Sequence, residues 1–367
     1  MNAKSQYGSF ERNAGISRRL ALLFALSSSG ALAQGFSGLG AKAPGFATPR
    51  PGTPLVFPKD HGAHPDFRTE WWYVTANLTG ADGAAYGVQW TLFRHALAPN
   101  AARTGWDDRN LWMAHAAATT ASEHLFAQKI ARGGIGQAGV EAAPFRGFID
   151  DWMLETRDDA TGAGIERLRV TAGDRNFAYA LDLTATGPIA LQGEAGYSRK
   201  SEAGQASYYY SQPFFTAQGS ISIRGRKIQV AGRAWMDREW SSQPLGPDQQ
   251  GWDWFSLHLD GGDKLMLFRL RSAEAAPFLS GNWIDAKGAT SLLARDDIAI
   301  VPLETIRVAD RNVPVRWRVT IRSRGLEIVT QPLNPKSWMG TDFAYWEGPI
   351  RFSGSHKGEG YLEMTGY

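Results

Sequence analysis

The 367-residue sequence contains no cysteine, which excludes disulfides, thiolate nucleophiles and cysteine-ligated metals. Packing and hydrogen bonding alone must hold the fold, whatever the redox compartment. Long apolar runs are also missing: no stretch reaches the roughly 18 to 20 consecutive apolar residues that a membrane-crossing helix requires. The most apolar run, "LALLFAL", follows Arg18 and Arg19 and precedes "ALA", ending at Ala33. This pattern predicts a secretory signal peptide over residues 1–33, removed before Gln34. "SRRLAL" also resembles a twin-arginine leader. The expectation is a periplasmic or secreted protein with no transmembrane segment in its mature form.

A charge excess is absent once the leader is set aside. The leader holds Lys4, Arg12, Arg18 and Arg19 against Glu11, so 39 basic and 36 acidic residues become 35 of each. A neutral mature chain offers no general field for nucleic acid or an anionic surface. No Gly-x-Ser-x-Gly elbow, phosphate-binding loop, dinucleotide fingerprint or His-Glu-x-x-His helix occurs. "HGAH" places His61 and His64 three apart, with Asp66 and Glu70 following. Zinc accepts such donors, but a turn-rich loop accounts for them, and neither a metal nor another cofactor is expected.

Aromatic residues are plentiful, with 14 tryptophans and 12% aromatics overall. The prevailing period is two. In "YGVQWTLFR", Tyr86, Val88, Trp90 and Leu92 share one face; in "RWRVTIRS", Trp317, Val319 and Ile321 do. Helical periodicity is weak everywhere. "LWMAHAAATTASEHLFAQKI" reads either as a helix or as two strands around a turn. The fold class is therefore mainly β and antiparallel. "WYVTANLTGADGAAYGVQWTLFR" and "WFSLHLDGGDKLMLFR" both open on Trp and an aromatic, pass a glycine-bearing turn and close on Leu-Phe-Arg. Two such hairpins suggest two related β domains, as does a mature length beyond about 250 residues. The expected organisation is an extended lead-in over residues 34–58 and domains over 59–200 and 201–367.

Three polar and aromatic segments are candidates for chemistry. In "HPDFRTEWWYVTANL", an extended chain puts Glu70 and Trp72 on one face. A carboxyl against indole would have a raised pKa and could donate a proton; alternatively, Glu70 pairs with Arg94 or Arg68 and pins strands. In "GRAWMDREWSSQPLG", Trp235, Asp237 and Glu239 align on one face and Met236, Arg238 and Trp240 on the other. The two carboxyls then lie about 6 to 7 Å apart, compatible with acid and base roles. Arg238 neutralising its neighbours explains the same residues structurally. In "SYYYSQPF", Tyr208 and Tyr210 project together before Pro213 ends or edges the strand, which suits a lipid-like or polyene ligand with one polar end or an ordinary core.

"FRTEWWYVTANL", "LFRHAL", "WMAHAA", "YYYSQP", "AWMDREWSSQ" and the terminal "YWEG…GEGYLEMTGY" resemble, in order and over Leu55 to Tyr367, the secreted two-domain lipocalin-like family of AttH-type proteins and carotenoid 1,2-hydratase (hydroxyneurosporene synthase). The resemblance implies two antiparallel lipocalin-like β-barrels (calyces) packed together. It implies either a carrier of a hydrophobic small molecule accessory to an ABC transporter permease, or a cofactor-independent hydratase of an isolated C=C bond. Asp237 matches the family acid. In the hydratases a histidine and an asparagine follow it, whereas Arg238 and Glu239 follow here, as in the AttH branch. The favoured expectation is the carrier, with Trp72, Trp90, Arg94, Tyr208, Tyr210 and Trp235 lining its pocket. For the hydratase alternative, Asp237 is first and Glu239 or Glu70 second as proton donor. A structural role without ligand is the third reading.

Overall fold

The computed structural model describes residues 38–99, 104–157 and 164–367, so the expected leader and the first residues of the lead-in lie outside the described residues. Alternating apolar and aromatic residues, broken by glycine-bearing turns such as Gly80–Gly83, give strands and no α-helix among the described residues. The first sheet holds β1 (Thr69–Gly80), β2 (Ala85–Ala96), β3 (Asn110–Thr119), β4 (His124–Arg132), β5 (Ala138–Ala142), β6 (Phe145–Ile149), β7 (Trp152–Thr156), β8 (Arg167–Asp174), β9 (Phe177–Ala185), β10 (Ala190–Leu191), β11 (Tyr197–Arg199), β12 (Ala206–Ile223) and β13 (Arg226–Ser241). The second holds β14 (Gln249–Leu259), β15 (Lys264–Ser272), β16 (Phe278–Ile284), β17 (Thr290–Leu292), β18 (Ile298–Val308), β19 (Arg311–Ile321), β20 (Leu326–Pro332), β21 (Trp338–Met339), β22 (Tyr345–Gly354) and β23 (Gly358–Thr365).

Both sheets are antiparallel, barrel-like and built on one plan. In the first, β1 pairs with its hairpin partner β2 and with β13, the last strand of that sheet; in the second, β14 pairs with β15 and with β23, the last strand there. The two hairpins that resemble each other in sequence therefore occupy the same topological place. "LWMAHAAATTASEHLFAQKI" forms the β3–β4 hairpin, so the strand alternative is the one realised.

Two details differ from the sequence reading. The boundary expected at residue 200 falls inside the first sheet, because β12 and β13 complete it; the sheets change over across residues 242–248. Nor does Pro213 end a strand. β12 runs on to Ile223, and the missing amide donor is accommodated by an irregularity in the pairing with β13 between Gln212 and Phe215.

Each barrel interior is filled by its own side chains. The first cluster includes Trp72, Trp90, Trp112, Trp152 and Trp240; the second includes Phe255, Trp317 and Trp346. A third cluster, with Tyr73, Tyr209, Trp235, Trp254, Met266 and Tyr361, lies between the barrels. There β1 meets β23 and β2 meets β22. The approach is closest at Gly87: a Cβ there would stand 2.5 Å from Pro349 Cγ and 2.6 Å from the Tyr361 hydroxyl. Only glycine permits the backbone of β2 to come that near.

Candidate functional site

Because successive strand side chains point to opposite faces, the first sheet sorts the expected site residues into two groups. Glu70, Trp72, Trp90, Arg94, Tyr208 and Tyr210 point into the first barrel, whereas Trp235, Asp237 and Glu239 point out of it, towards the second. The face sharing expected within each segment holds. One connected pocket joining all of them does not form, since a sheet separates the groups.

Inside the barrel, Glu70 is wholly buried between two guanidinium groups. Arg94 Nε bonds one carboxylate oxygen and Arg238 Nη2 the other, and the His64 backbone N–H donates to both at 3.0 and 3.1 Å. Burial pushes the carboxyl pKa up, but the Arg94 and Arg238 charges outweigh burial and hold it well below the usual carboxylate range. Glu70 is thus an ionised pin and has no proton to donate near neutrality. Arg68 is not its partner, for its guanidinium reaches the Ala41 and Gly38 carbonyls. Arg238 neutralises Glu70 across the barrel mouth rather than its neighbours Asp237 and Glu239, and its guanidinium carbon lies 3.9 Å from the Trp72 ring centre. Trp72, Trp90, Arg94 and Tyr210 retain at most 1% of their surface. They are packed against protein on all sides and line no open space. His61 bonds the Tyr210 hydroxyl at 2.7 Å, and His64 stacks on Trp240, so both imidazoles help close the barrel mouth.

The outward group has different chemistry. Asp237 accepts hydrogen bonds from the Tyr209 hydroxyl at 2.6 Å, the Trp235 indole N–H at 2.7 Å and the Ser211 hydroxyl. Burial pushes its pKa up; those three bonds pull it back and Glu239 raises it again, leaving it at about 7. Two of the three donors are hydroxyls that can turn and accept, so the protonated carboxyl also finds a partner. Trp254 Nε1 of the second barrel donates to the Tyr209 hydroxyl at 3.0 Å, tying the acid to the other domain. Glu239 accepts from Ser207 and pairs with Lys200 at 2.7 Å.

The second barrel answers with two carboxyls that reading single segments missed. Glu347 on β22 and Glu363 on β23 are cross-strand partners. Glu347 accepts from the Tyr73 hydroxyl of the first barrel; burial, then the Glu363 charge, raises its pKa well above the ordinary value. Glu363 accepts from Trp252 Nε1, and burial, with Asp237 and Glu239 nearby, brings it to about 7. Both glutamates stand in the terminal motifs "YWEG" and "GEGYLEMTGY", whose density of aromatics and acid was the available signal. The half-buried rings of Trp71, Phe93, Trp252 and Phe343 border this seam, the last two with centroids 6.2 Å apart. The geometry is an acidic, tyrosine-lined seam between barrels, with aromatic edges and three carboxyls of raised pKa, Asp237, Glu347 and Glu363.

Two packed antiparallel barrels define a lipocalin-like two-domain protein. The sequence model of the AttH-like family matches residues 48–367, and the chain belongs to that family. A crystal structure named as an AttH candidate from Nitrosomonas europaea is similar over 88% of this chain and 100% of its own, with 37% identity and a TM-score of 0.77. Kievitone hydratase from Nectria haematococca shares the fold over 88% of this chain and 98% of its own, with 16% identity and a TM-score of 0.64. No curated protein matches the sequence.

Proposed function

We propose that the protein receives a hydrophobic small molecule at the seam between its barrels and that Asp237 exchanges a proton with it there. One observation carries this reading: Asp237 is buried among Tyr209, Trp235 and Trp254 with its pKa raised to about 7. An acid of that strength is half protonated at neutral pH, the condition for efficient general acid and base work. The reaction that fits is hydration of an isolated C=C bond. Asp237 gives its proton to one alkene carbon, the π bond breaks, and the other carbon becomes a cation shielded by ring faces. Water then bonds to that carbon and returns a proton to the carboxylate. A fold shared with a hydratase is compatible with this chemistry.

A second reading, binding and delivery without turnover, has its own support in Arg238 and Glu239, which follow the acid where the hydratases carry other residues. The packing of both barrel interiors supports the seam as the site in this reading as well. Export to the periplasm or beyond belongs to both readings and rests on the leader of residues 1–33; an ABC transporter permease as partner rests on the family resemblance. Incubation with an acyclic carotenoid such as lycopene, followed by mass spectrometry, separates the two. A product heavier by one water that disappears in Asp237→Asn supports hydration. A bound molecule recovered unchanged supports delivery, and an absence of both binding and product overturns the proposal.

A further inference from the structure

The far end of the seam holds charges that the acid chemistry does not use. Lys264, His258 and Glu359 are successive cross-strand partners on β15, β14 and β23. Their neighbours Leu257, Leu259 and Leu265 fill the second barrel, so this row faces the first. Arg233 looks back at it from β13, on the same face as Trp235, whose ring meets that of His258 edge-on at 5.7 Å. Asn77, the register partner of Arg233 on β1, bonds the carbonyl of Gly360, next to Glu359, at 2.9 Å. These groups are short of partners. Lys264 keeps 7% of its surface, yet its ammonium donates only to the Gly262 carbonyl, at 2.6 Å, and lies 4.9 Å from the Phe214 ring centre. His258 keeps 2%, and its Nδ1 has no hydrogen-bond partner. Among the described residues, the Arg233 guanidinium makes no hydrogen bond, and neither it nor Lys264 forms an ion pair. Buried donors and charges are ordinarily paired.

We infer that Arg233, Lys264 and His258 form a binding site for one small oxyanion of the phosphate class. Donors from three strands of two barrels suit a tetrahedral ion, whose oxygens point apart, better than a planar carboxylate. The guanidinium fork and the ammonium supply charge-assisted bonds, and His258 supplies one more as its Nδ1–H tautomer. Burial, then Lys264 and Arg233, hold His258 well below its ordinary range, so it is an uncharged donor at neutral pH. Burial and then Arg233 lower Lys264 to about 8, against the pull of Asp263. The carboxylates nearby do not take the place of an anion. Asp263 is occupied by Trp283 Nε1 and the Ala286 N–H, both at 2.9 Å. Burial, with Asp260 beyond, raises the pKa of Glu359 against the pull of Arg233 and Arg351. Arg233 and Glu359 are half-buried and Arg351 is exposed, so the row reaches water. The site stands apart from the acid: Arg233 and Asp237 are four residues apart on one strand, about 13 Å.

Isothermal titration calorimetry with inorganic phosphate at neutral pH tests it. Wild type is expected to bind saturably, and Arg233→Gln and Lys264→Met should each weaken binding at least tenfold. Glu359→Gln removes the competing carboxylate and should tighten binding. Arg318→Gln, at an exposed ion pair with Glu327 on the second barrel, should bind as wild type does. Circular dichroism confirms that each variant is folded, and the half-buried Arg233→Gln serves if Lys264→Met is not. NMR of lysine Cε carbons gives a second readout: a bound anion favours the charged ammonium, so the Lys264 midpoint should rise above about 8. Butyl phosphate titrated alongside separates two sources of the same chemistry. Tighter binding than phosphate assigns the site to the head of an organic monoester, and equal or weaker binding assigns it to the free ion; both support the site. No saturable binding by wild type, undiminished binding by folded Arg233→Gln, or an unmoved Lys264 midpoint overturns it.

Discussion

Glu347 and Glu363 face each other directly across β22 and β23, with Tyr73 of the first barrel bonded to the one and Trp252 bonded to the other. Two carboxylates at cross-strand distance repel if both ionise, so the pair holds a proton well above the pH at which a free glutamate loses it. The seam between the barrels is therefore a proton-retaining interface.

Stability should fall as pH rises through the seam's titration window. Asp237 and Glu363 are raised in the folded chain from ordinary values near 4 to about 7. Across that window the folded state binds more protons than the unfolded state, so the stability they contribute is present at lower pH and lost on the way up. Glu70 acts oppositely, but its depressed pKa confines its effect to more acidic solution. Below about pH 6.5 the buried histidines oppose Asp237 and Glu363, because burial holds His61, His95 and His115 at about 4 and the unfolded chain binds those protons more readily. The melting temperature is therefore expected to decline between about pH 7 and pH 8, and the decline should be shallower in Glu363→Gln.

Removing the pin should cost far more than removing the acid. Glu70→Gln leaves Arg94 and Arg238 buried and uncompensated, a loss of about 3 to 5 kcal/mol, read as a lower urea midpoint. Asp237→Asn keeps the shape and can still meet Tyr209, Ser211 and Trp235, so its midpoint should move by about 1 kcal/mol or less.

Tyr209→Phe removes a hydrogen bond that favours ionised Asp237. The Asp237 pKa should rise further, visible as an alkaline shift of the limb on which turnover falls with rising pH. If Tyr209 were only filler, the profile would not move.

Gly87→Val should loosen the seam, since its side chain would enter the space of Pro349 and Tyr361. Overpacking of this kind costs about 1 to 3 kcal/mol. Thermal unfolding followed by calorimetry should show a lower transition temperature.

The two-barrel plan followed from the repeated hairpin and the family resemblance, while period two was enough to read the strands and the sharing of faces at Trp235, Asp237 and Glu239. It was not enough to say which face meets the other barrel, because β1, β2 and β13 bury aromatic residues on both sides. Alternation says which residues of one strand look the same way; it says nothing about which strand lies opposite. Glu70 thus stood second to Asp237 as an acid, with pairing to Arg94 as its alternative, and only the fold brings Arg238, distant in sequence, beside it. Glu347 and Glu363 became a pair only through the register of β22 with β23, and the expected boundary fell in a polar, glycine-bearing stretch before β12 that lies within the first sheet.

The most direct test is the pKa of Asp237 itself, measured by carbon-detected NMR of protein labelled at aspartate carboxyls, with Asp237→Asn identifying the resonance. The account predicts a midpoint near 7 that shifts when Tyr209 is replaced by Phe. A midpoint near 4, unmoved by that substitution, would contradict it.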